Sequence, residues 1–560
     1  MENNYSVKWK TRGSRQALLR NALVKAMGYT DKDLDRPFVG ILNTWGENNP
    51  GHLHFRQLSE AVKRGVWAAG GFPIEMNTMS ICEVFFDISS MIYRNLLSME
   101  TEELIARQPY DGVVLIGGCD KNVPAQVMAA VSANKPAIFL PGGAMLPGNY
   151  KGKTLACGTD SFELWTKYQA GELSAEDLQK TEGCLYGSVG ACPIMGTANT
   201  SQTVTEALGF ALPNSASCLG VSAEKMRIAE ETGRQIVALI EKDIRPRDII
   251  NLESIRNAIR VLMACGGSTN LIIHLTAIAR RAGIQLNLME FEKISRETPL
   301  LVNVKPSGKF TVGMEFHNAG GVQALMKELE SRLNLNCLTV TGKTVGENLK
   351  NADFSYDREV IYPLDQPIRS TGGIAVLKGN LAPDGAVIKR SAASERLLNH
   401  RGEARVFDSL EEAEKYLLDP DSDMDENKVV VLRGYGPKGA PGIPEFGNYL
   451  PIPPKLYKKG VKDFVRITDS RMSGGAFGTV VLHVAPEAAV CGPIAAVQDG
   501  DIIRLDVENN LIEVEISNEE MRRRLETVKP KEHPDITRGF VRNFIDNTLQ
   551  TNEGCDLRYL

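Results

Sequence analysis

The chain has 560 residues, which is more than one hydrophobic core usually supports, so we expect two or three domains. Apolar residues make up 43% and charged residues 24%, a balance that is typical of a folded enzyme and excludes a disordered chain. The formal net charge of −5 gives no electrostatic reason to expect nucleic acid or an anionic membrane as a partner.

No uncharged apolar run of about 18 residues predicts a membrane-spanning helix, and the N-terminal segment lacks the apolar stretch of a signal peptide. We therefore predict a cytoplasmic protein. The ten cysteines include no CxxC pair, which argues against a zinc ribbon, and in a reducing compartment they do not predict disulfides. Most should be small buried thiols, and Cys157, Cys337 and Cys555 are expected to tolerate replacement by serine.

Short β-like runs alternate with helical stretches over the first part of the chain. Residues 37–45, 112–118 and 136–143 are predicted strands, and the stretches from 55 and over 123–135 are predicted helices. This alternation indicates an α/β domain with a parallel sheet, whose ligands gather at the carboxyl ends of the strands. The segments NTWGENNPGH, GGCDKNVP and PGGAML all lie at such ends.

The pattern changes towards the C-terminus. Short β-branched segments such as KVVVLRG and GTVVLHV are separated by glycine, proline or Asp-Gly turns, which predicts a β domain built as a barrel or a sandwich. We place the α/β catalytic domain at residues 1–365 and the β domain at residues 366–560. The active site is expected between them.

The segment GGCDKNVP (117–124) is the most informative one for chemistry. It places Cys119, Asp120 and Lys121 directly after a buried strand. A thiol beside a carboxylate offers a soft and a hard ligand, which suits an iron–sulfur centre next to Mg²⁺. The alternative is an ordinary turn in which Asp120 caps the following helix.

Three further glycine-rich segments carry candidate residues. Cys192 lies in GSVGACPIMGTANT (187–200), where small neighbours would let an inorganic group approach, although a packed thiol is the alternative. Glu445 ends the loop GYGPKGAPGIPE (434–445). Ser473 lies in TDSRMSGGAFG (468–478), where two following glycines favour an exposed hydroxyl, and a plain turn is the alternative.

Six segments in this order resemble the dihydroxy-acid dehydratase and phosphogluconate dehydratase family, and the resemblance covers nearly the whole chain. They are NTW…NPGH, GGCDK, GACPIMGTANT, GGSTN, GPKGAPGIPE and TDSRMSGGAFGTVVLHVAPEAA. The resemblance implies an N-terminal α/β domain and a C-terminal β-barrel like that of aconitase, assembled as a homodimer or a homotetramer. It also implies Mg²⁺, an iron–sulfur cluster and a small hydroxy-acid substrate.

The resemblance also implies roles for individual residues. Cys119 and Cys192 correspond to cluster ligands. Ser473 and Lys121 correspond to catalytic residues, with Ser473 as the base. The implied Mg²⁺ ligands are Glu83, Asp120, Glu445 and, once carbamylated, Lys121.

The sequence departs from the family pattern at one position. Members with a 2Fe–2S cluster usually have a cysteine after the Asn-Pro pair, whereas here Asn49-Pro50 is followed by Gly51. The phosphogluconate branch is associated with a 4Fe–4S cluster and also lacks that cysteine. The cluster type is therefore open, and Cys82 and His52 are the alternatives for a third ligand.

Two segments narrow the substrate. Residues 80–105, which include Glu83, and the C-terminal tail resemble the sugar-acid branch, which acts on aldonates such as arabinonate or xylonate. This predicts a hydro-lyase that removes the C2 proton and the C3 hydroxyl and yields a 2-keto-3-deoxy acid. The alternatives are a dihydroxy-acid dehydratase of branched-chain amino-acid synthesis and a non-catalytic homologue without a cluster.

Overall fold

A computed structural model describes residues 5–156, 158–448 and 450–560 of the chain. Cys157, for which we predict tolerance to serine, lies outside the described residues. Cys337 and Cys555 are buried, as expected of packed thiols, and their tolerance to serine stays a prediction. None of the helices in the described ranges is both long enough and apolar enough to cross a membrane.

The N-terminal half is built on a four-stranded parallel sheet with the strand order β2-β1-β3-β4. Its strands are β1 (Phe38–Asn43), β2 (Phe72–Asn77), β3 (Gly112–Gly117) and β4 (Ala137–Pro141). Every residue of β1, β3 and β4 is buried, because helices cover both faces of the sheet. The predicted α/β class is confirmed, and the three predicted strands are one to three residues shorter than expected.

Helices surround this sheet and continue into the rest of the chain. Those of the described residues are α1 (Tyr5–Lys10), α2 (Arg15–Ala26), α3 (Asp31–Leu34), α4 (Phe55–Ala68), α5 (Met91–Arg107), α6 (Asn122–Ala133), α7 (Thr159–Gln169), α8 (Ala175–Glu182), α9 (Thr197–Ala207), α10 (Ala223–Lys242), α11 (Pro246–Ile249), α12 (Leu252–Ala264), α13 (Asn270–Arg281), α14 (Leu288–Glu297), α15 (Gly321–Glu328), α16 (Val345–Leu349), α17 (Leu410–Leu418), α18 (Pro454–Tyr457), α19 (Asn518–Leu525) and α20 (Gly539–Asn547). The predicted helices correspond to α4 and α6.

The C-terminal half contains a closed barrel of eight strands, so the prediction of a β-barrel is confirmed. After a small hairpin, β5 (Gly148–Tyr150) and β6 (Lys153–Leu155), the barrel strands are β7 (Ala375–Gly379), β8 (Ala382–Ile388), β9 (Asn399–Phe407), β10 (Val429–Leu432), β11 (Arg466–Thr468), β12 (Val480–Ala485), β13 (Ile502–Asp506) and β14 (Leu511–Val514). Their order around the barrel is β10-β11-β12-β8-β7-β14-β13-β9. The domain boundary at 365/366 falls between α16 and β7, and its placement stays a prediction.

The two halves share apolar packing. Met472, Val480 and Leu482 of the barrel half belong to the same buried cluster as the sheet and helices of the α/β half. The C-terminal tail is also fixed to the α/β half, because the buried Arg281 lies 2.6 Å from Asp556. The α/β half and the barrel half therefore pack against each other through a buried boundary.

Candidate active site

The carboxyl ends of the parallel strands supply one side of the site. The chain leaves β2 towards Glu83, which begins a short 3₁₀ turn (Glu83–Phe85), and leaves β3 towards Cys119 and Asp120. Parallel strands end at a common edge, so residues far apart in sequence meet there. The expectation that the segments after β1, β3 and β4 lie at this edge is confirmed, and ligand binding by them stays a prediction.

Three carboxylates meet at this edge. Glu83 and Asp120 come from the α/β half and Glu445 from the loop after β10, and their ligand oxygens all lie within 4.8 Å of one another. No helix amide among the described residues donates to Asp120, so the alternative in which Asp120 caps α6 is wrong. Three like charges so close repel one another unless cations are present.

Two basic side chains provide positive charge. Lys121 is 1% exposed, and its Nζ lies 3.0 Å from Glu83 Oε2 and 3.7 Å from Asp120 Oδ2. Arg471 is fully buried, and its Nη2 lies 2.6 Å from Glu83 Oε1 while its Nη1 contacts Glu445. Arg471 thus joins a carboxylate of the α/β half to one of the barrel half.

Burial and charge give two of the carboxylates different proton affinities. Burial would raise the pKa of Glu83, but the charges of Arg471 and Lys121 outweigh it and lower this pKa to about 2. Burial raises the pKa of Glu445 to about 7; Arg471 opposes this rise, and the charge of Glu83 adds to it. A divalent cation would displace the Glu445 proton, because metal binding requires the ionised carboxylate.

Thiols lie next to the carboxylates. The Cys119 and Cys82 thiols are in hydrogen-bond contact. This contact, burial and the charge of Asp120 raise the pKa of Cys119 well above its usual range. The turn of Cys192 is tied to that of Cys119, because Asn199 donates to the Cys192 carbonyl and Gln202 donates to Asn199 Oδ1 at 3.2 Å and to the Gly118 carbonyl at 3.3 Å.

The residues around position 51 bear on the two alternatives for a third cluster ligand, Cys82 and His52. His52 Nδ1 donates to the Thr44 carbonyl at 2.7 Å, and Nε2 accepts from the Cys119 amide at 2.9 Å. Burial lowers the pKa of His52 to about 3. Both ring nitrogens are therefore engaged, which argues against His52 as a ligand.

Ser473 lies in a tight turn that follows Arg471. The Gly475 amide donates to Ser473 Oγ at 3.4 Å. A Cβ on Gly474 would lie 2.5 Å from the Thr197 amide nitrogen, so this glycine is needed for the turn to pack against the start of α9. The turn is therefore a packed element with an amide directed at the serine oxygen.

Two residues that sequence patterns did not single out support this region. Asn270, from the GGSTN segment, donates to Glu445 Oε1 at 3.4 Å and to Thr197 Oγ1 at 3.0 Å. Lys389 is fully buried at the end of β8, and its Nζ donates to the Gly474 carbonyl at 3.1 Å. Burial lowers the pKa of Lys389 to about 8.

A cavity of about 510 Å³ opens between the two halves of the chain. Its walls include Phe162 and Lys167 of α7, Ser391 of the barrel half and Phe477, four residues beyond Ser473. This volume is in the range of small-molecule sites, which are commonly about 300–1,000 Å³. The walls of this cavity do not include Ser473 or the three carboxylates, so it neighbours the serine turn through Phe477 and is distinct from the carboxylate site.

The main residue missed by the sequence patterns is Arg471. It lies inside a segment that we selected for Ser473, but nothing local indicates that its guanidinium contacts Glu83, which is 388 residues away. The signal that could have found it is the requirement that a buried carboxylate cluster have a basic partner.

The chain matches family models over most of its length. Residues 36–348 match the one described as Dihydroxy-acid/6-phosphogluconate dehydratase N-terminal, and residues 359–555 match the corresponding C-terminal one. The resemblance indicated by the six sequence segments is therefore confirmed.

Three relatives are similar to the chain from end to end. The L-arabonate dehydratase of Azospirillum brasilense is 44% identical, covering 99% of this chain and 96% of the relative. The 6-deoxy-6-sulfo-D-gluconate dehydratase of Pseudomonas putida is 42% identical over 100% and 97%. The dihydroxy-acid dehydratase of Caldicellulosiruptor bescii is 44% identical over 96% and 97%. All three are named as dehydratases, and their identities do not separate sugar acids from branched-chain substrates.

Proposed function

Because this chain belongs to the dihydroxy-acid/6-phosphogluconate dehydratase family and is therefore a hydro-lyase, we propose that it converts an aldonate to a 2-keto-3-deoxy acid. The observation that carries the proposal is the group of three carboxylate oxygens within 4.8 Å, next to the contacting thiols of Cys82 and Cys119. Two of the three relatives are named for sugar-acid substrates and the third for a dihydroxy acid, so the choice of an aldonate rests on the resemblance of residues 80–105 and the C-terminal tail to the sugar-acid branch.

The two segments that resemble the sugar-acid branch, residues 80–105 and the tail, lie against each other. Ile92 of α5 packs with Phe544 and Leu557, and Arg94 donates to the Gly554 carbonyl at 2.9 Å. The segments therefore form one packed unit, and their support for an aldonate comes from the resemblance in sequence.

The donor set fits the two inorganic groups that the family implies. Carboxylate oxygens are hard ligands of the kind that Mg²⁺ takes, so Glu83, Asp120 and Glu445 would hold it. Thiolates are soft ligands of the kind that hold iron–sulfur clusters, so Cys119 and Cys192 would hold one. When bound, Mg²⁺ supplies charge that makes the C2 proton more acidic, and the cluster supplies a Lewis acid for the C3 hydroxyl.

The protein's own residues carry the proton transfer. Ser473 acts as an alkoxide, whose negative charge the Gly475 amide at 3.4 Å stabilises, and its Oγ takes the C2 proton and becomes a neutral hydroxyl. Arg471 keeps Glu83 and Glu445 in place, and uncarbamylated Lys121 pairs with Glu83. We also propose that Lys121 is carbamylated in the metal-loaded enzyme, where it would be an anionic ligand and would no longer supply positive charge. The proton on Ser473 passes to the C3 hydroxyl, which leaves as water and restores the alkoxide, and the enol that remains becomes the 2-keto acid. We further propose a homodimer or homotetramer, which light scattering would test.

The substrate class is tested with purified, anaerobically reconstituted protein. A C5 or C6 aldonate should give kcat/KM at least about tenfold above 2,3-dihydroxy-3-methylbutanoate, which corresponds to roughly 1.4 kcal/mol of transition-state preference. A preference for the branched-chain acid would favour the alternative substrate. A protein that holds neither iron nor sulfide would favour the non-catalytic alternative.

The role of Ser473 is tested with Ser473→Ala. Loss of a positioned base should lower kcat by about 10²–10⁴, leave KM within a few-fold and preserve iron and magnesium. Wild-type protein should exchange the C2 hydrogen with solvent or show an isotope effect with C2-deuterated substrate, and the variant should not exchange. Ser470→Ala removes a hydroxyl bonded to Thr468 in the same segment and is the control that should keep exchange. Normal exchange in Ser473→Ala would assign the base elsewhere.

A further inference from the structure

Two cysteines are in contact at the carboxyl edge of the parallel sheet, and hydrogen bonds tie the turn of a third cysteine to theirs. Cys82 precedes the 3₁₀ turn after β2, Cys119 follows β3, and Cys192 lies in the turn that hydrogen bonds tie to Gly118. Cys82 is 8% exposed, and its thiol contacts that of Cys119. A pair of contacting thiols from two different strand ends is a more specific arrangement than an isolated buried cysteine.

The contact between the Cys82 and Cys119 thiols is compatible with a shared iron. Metal–thiolate bonds are about 2.3 Å long, so two thiolates on one tetrahedral ion lie about 3.8 Å apart. That separation is close to the distance at which two sulfur atoms touch. Little rearrangement would therefore bring Cys82 and Cys119 onto one iron.

Residue 51 is a glycine, so a third thiolate ligand for the cluster has to come from another position of the chain. A Cβ on Gly51 would lie 3.8 Å from Cβ of Cys119 and 3.5 Å from the Gly190 carbonyl oxygen, so a side chain there would point into the space between the Cys119 and Cys192 turns. Glycine supplies no ligand at this place, and His52 beside it is engaged through both nitrogens.

We propose that Cys82 is the third thiolate ligand of the iron–sulfur cluster in this chain, in place of a side chain at position 51. The inference rests on the proposed function, in which Cys119 and Cys192 hold the cluster. Clusters are ordinarily held by three or four protein ligands, and Cys82 completes three.

The test compares iron and sulfide per chain, visible circular dichroism and the electron paramagnetic resonance spectrum of the reduced protein. Cys82→Ser should lose at least half of its iron and sulfide after desalting or show a changed spectrum. Cys337→Ser removes a buried thiol near Asn257, away from the strand ends, and should match the wild type. Wild-type iron, sulfide and spectra in Cys82→Ser would overturn the proposal.

A second variant places a thiol at position 51. Gly51→Cys in the Cys82→Ser background should regain the cluster, because the nearest obstacle to the new Cβ is the side-chain oxygen of Asn49 at 3.0 Å. If Cys82→Ser fails to fold, a crystal structure of the reconstituted wild type decides: Cys82 Sγ bonded to iron supports the proposal, and Cys82 Sγ beyond bonding distance overturns it. A wild type that binds no iron and sulfide at all would instead contradict the proposed function.

Discussion

Replacement of Arg471 by methionine should separate its structural role from its effect on the metal. The guanidinium is fully buried and contacts Glu83 and Glu445. Three carboxylates with Lys121 and Arg471 carry a formal charge of about −1 when all are ionised, and the variant carries about −2. Methionine has a similar length and no charge, so packing changes little.

The two expected effects have opposite directions. Without metal, loss of one partner from a buried ion pair should lower the free energy of unfolding by about 3–5 kcal/mol. With metal, the extra negative charge attracts the cation. At about 5 Å and an effective dielectric constant of about 20, the interaction energy between a unit charge and a divalent ion is roughly 6–7 kcal/mol. If only a fifth of this energy appears in the binding free energy, the affinity for Mg²⁺ should already rise about tenfold.

Calorimetric titration of Mg²⁺ into the metal-free protein measures the affinity, and urea unfolding in chelator measures the stability. The titration belongs at about pH 8.5, above the pKa of about 7 of Glu445. Arg281→Met is the control, because Arg281 is also buried and pairs with Asp556. It should be destabilised with unchanged Mg²⁺ affinity. If Arg471→Met binds Mg²⁺ no more tightly than the wild type, Arg471 does not act as a competing charge.

Three further predictions concern the surroundings of the site. Burial raises the pKa of Glu487 to about 7, so the folded protein holds this proton more tightly than the unfolded chain does. The free energy of unfolding should therefore fall by on the order of 3 kcal/mol as pH rises from about 4.5 to 7. Urea unfolding of Glu487→Gln should show a flatter dependence on pH. Gly474→Ala should cost about 1–3 kcal/mol because the Cβ meets the Thr197 amide at 2.5 Å, whereas Gly183→Ala meets nothing within 4 Å and should not. Lys389→Met should lower kcat about tenfold with iron content unchanged, because the Gly474 carbonyl loses its donor at 3.1 Å; unchanged kcat would contradict this.

Local sequence was enough for the elements and for much of the site. The apolar runs before GGCDKNVP and PGGAML form parallel strands, and both segments lie at the carboxyl edge of the sheet. A strand followed by a helix forces this placement, because the chain must turn at the strand's end. The short β-branched segments near the C-terminus likewise predicted a barrel or sandwich, although closure into a barrel depends on strand pairings across the whole domain.

The tertiary structure decided which side chains meet. The contact of Arg471 with Glu83, the contact of Cys82 with Cys119 and the orientation of the His52 ring all join residues from different strand ends or different halves of the chain. Periodicity and spacing describe neighbours along the chain, whereas these contacts depend on how the barrel packs against the sheet. For that reason the sequence determined the type of chemistry at the site, and only the folded chain shows its counter-charges and the thiol beside Cys119.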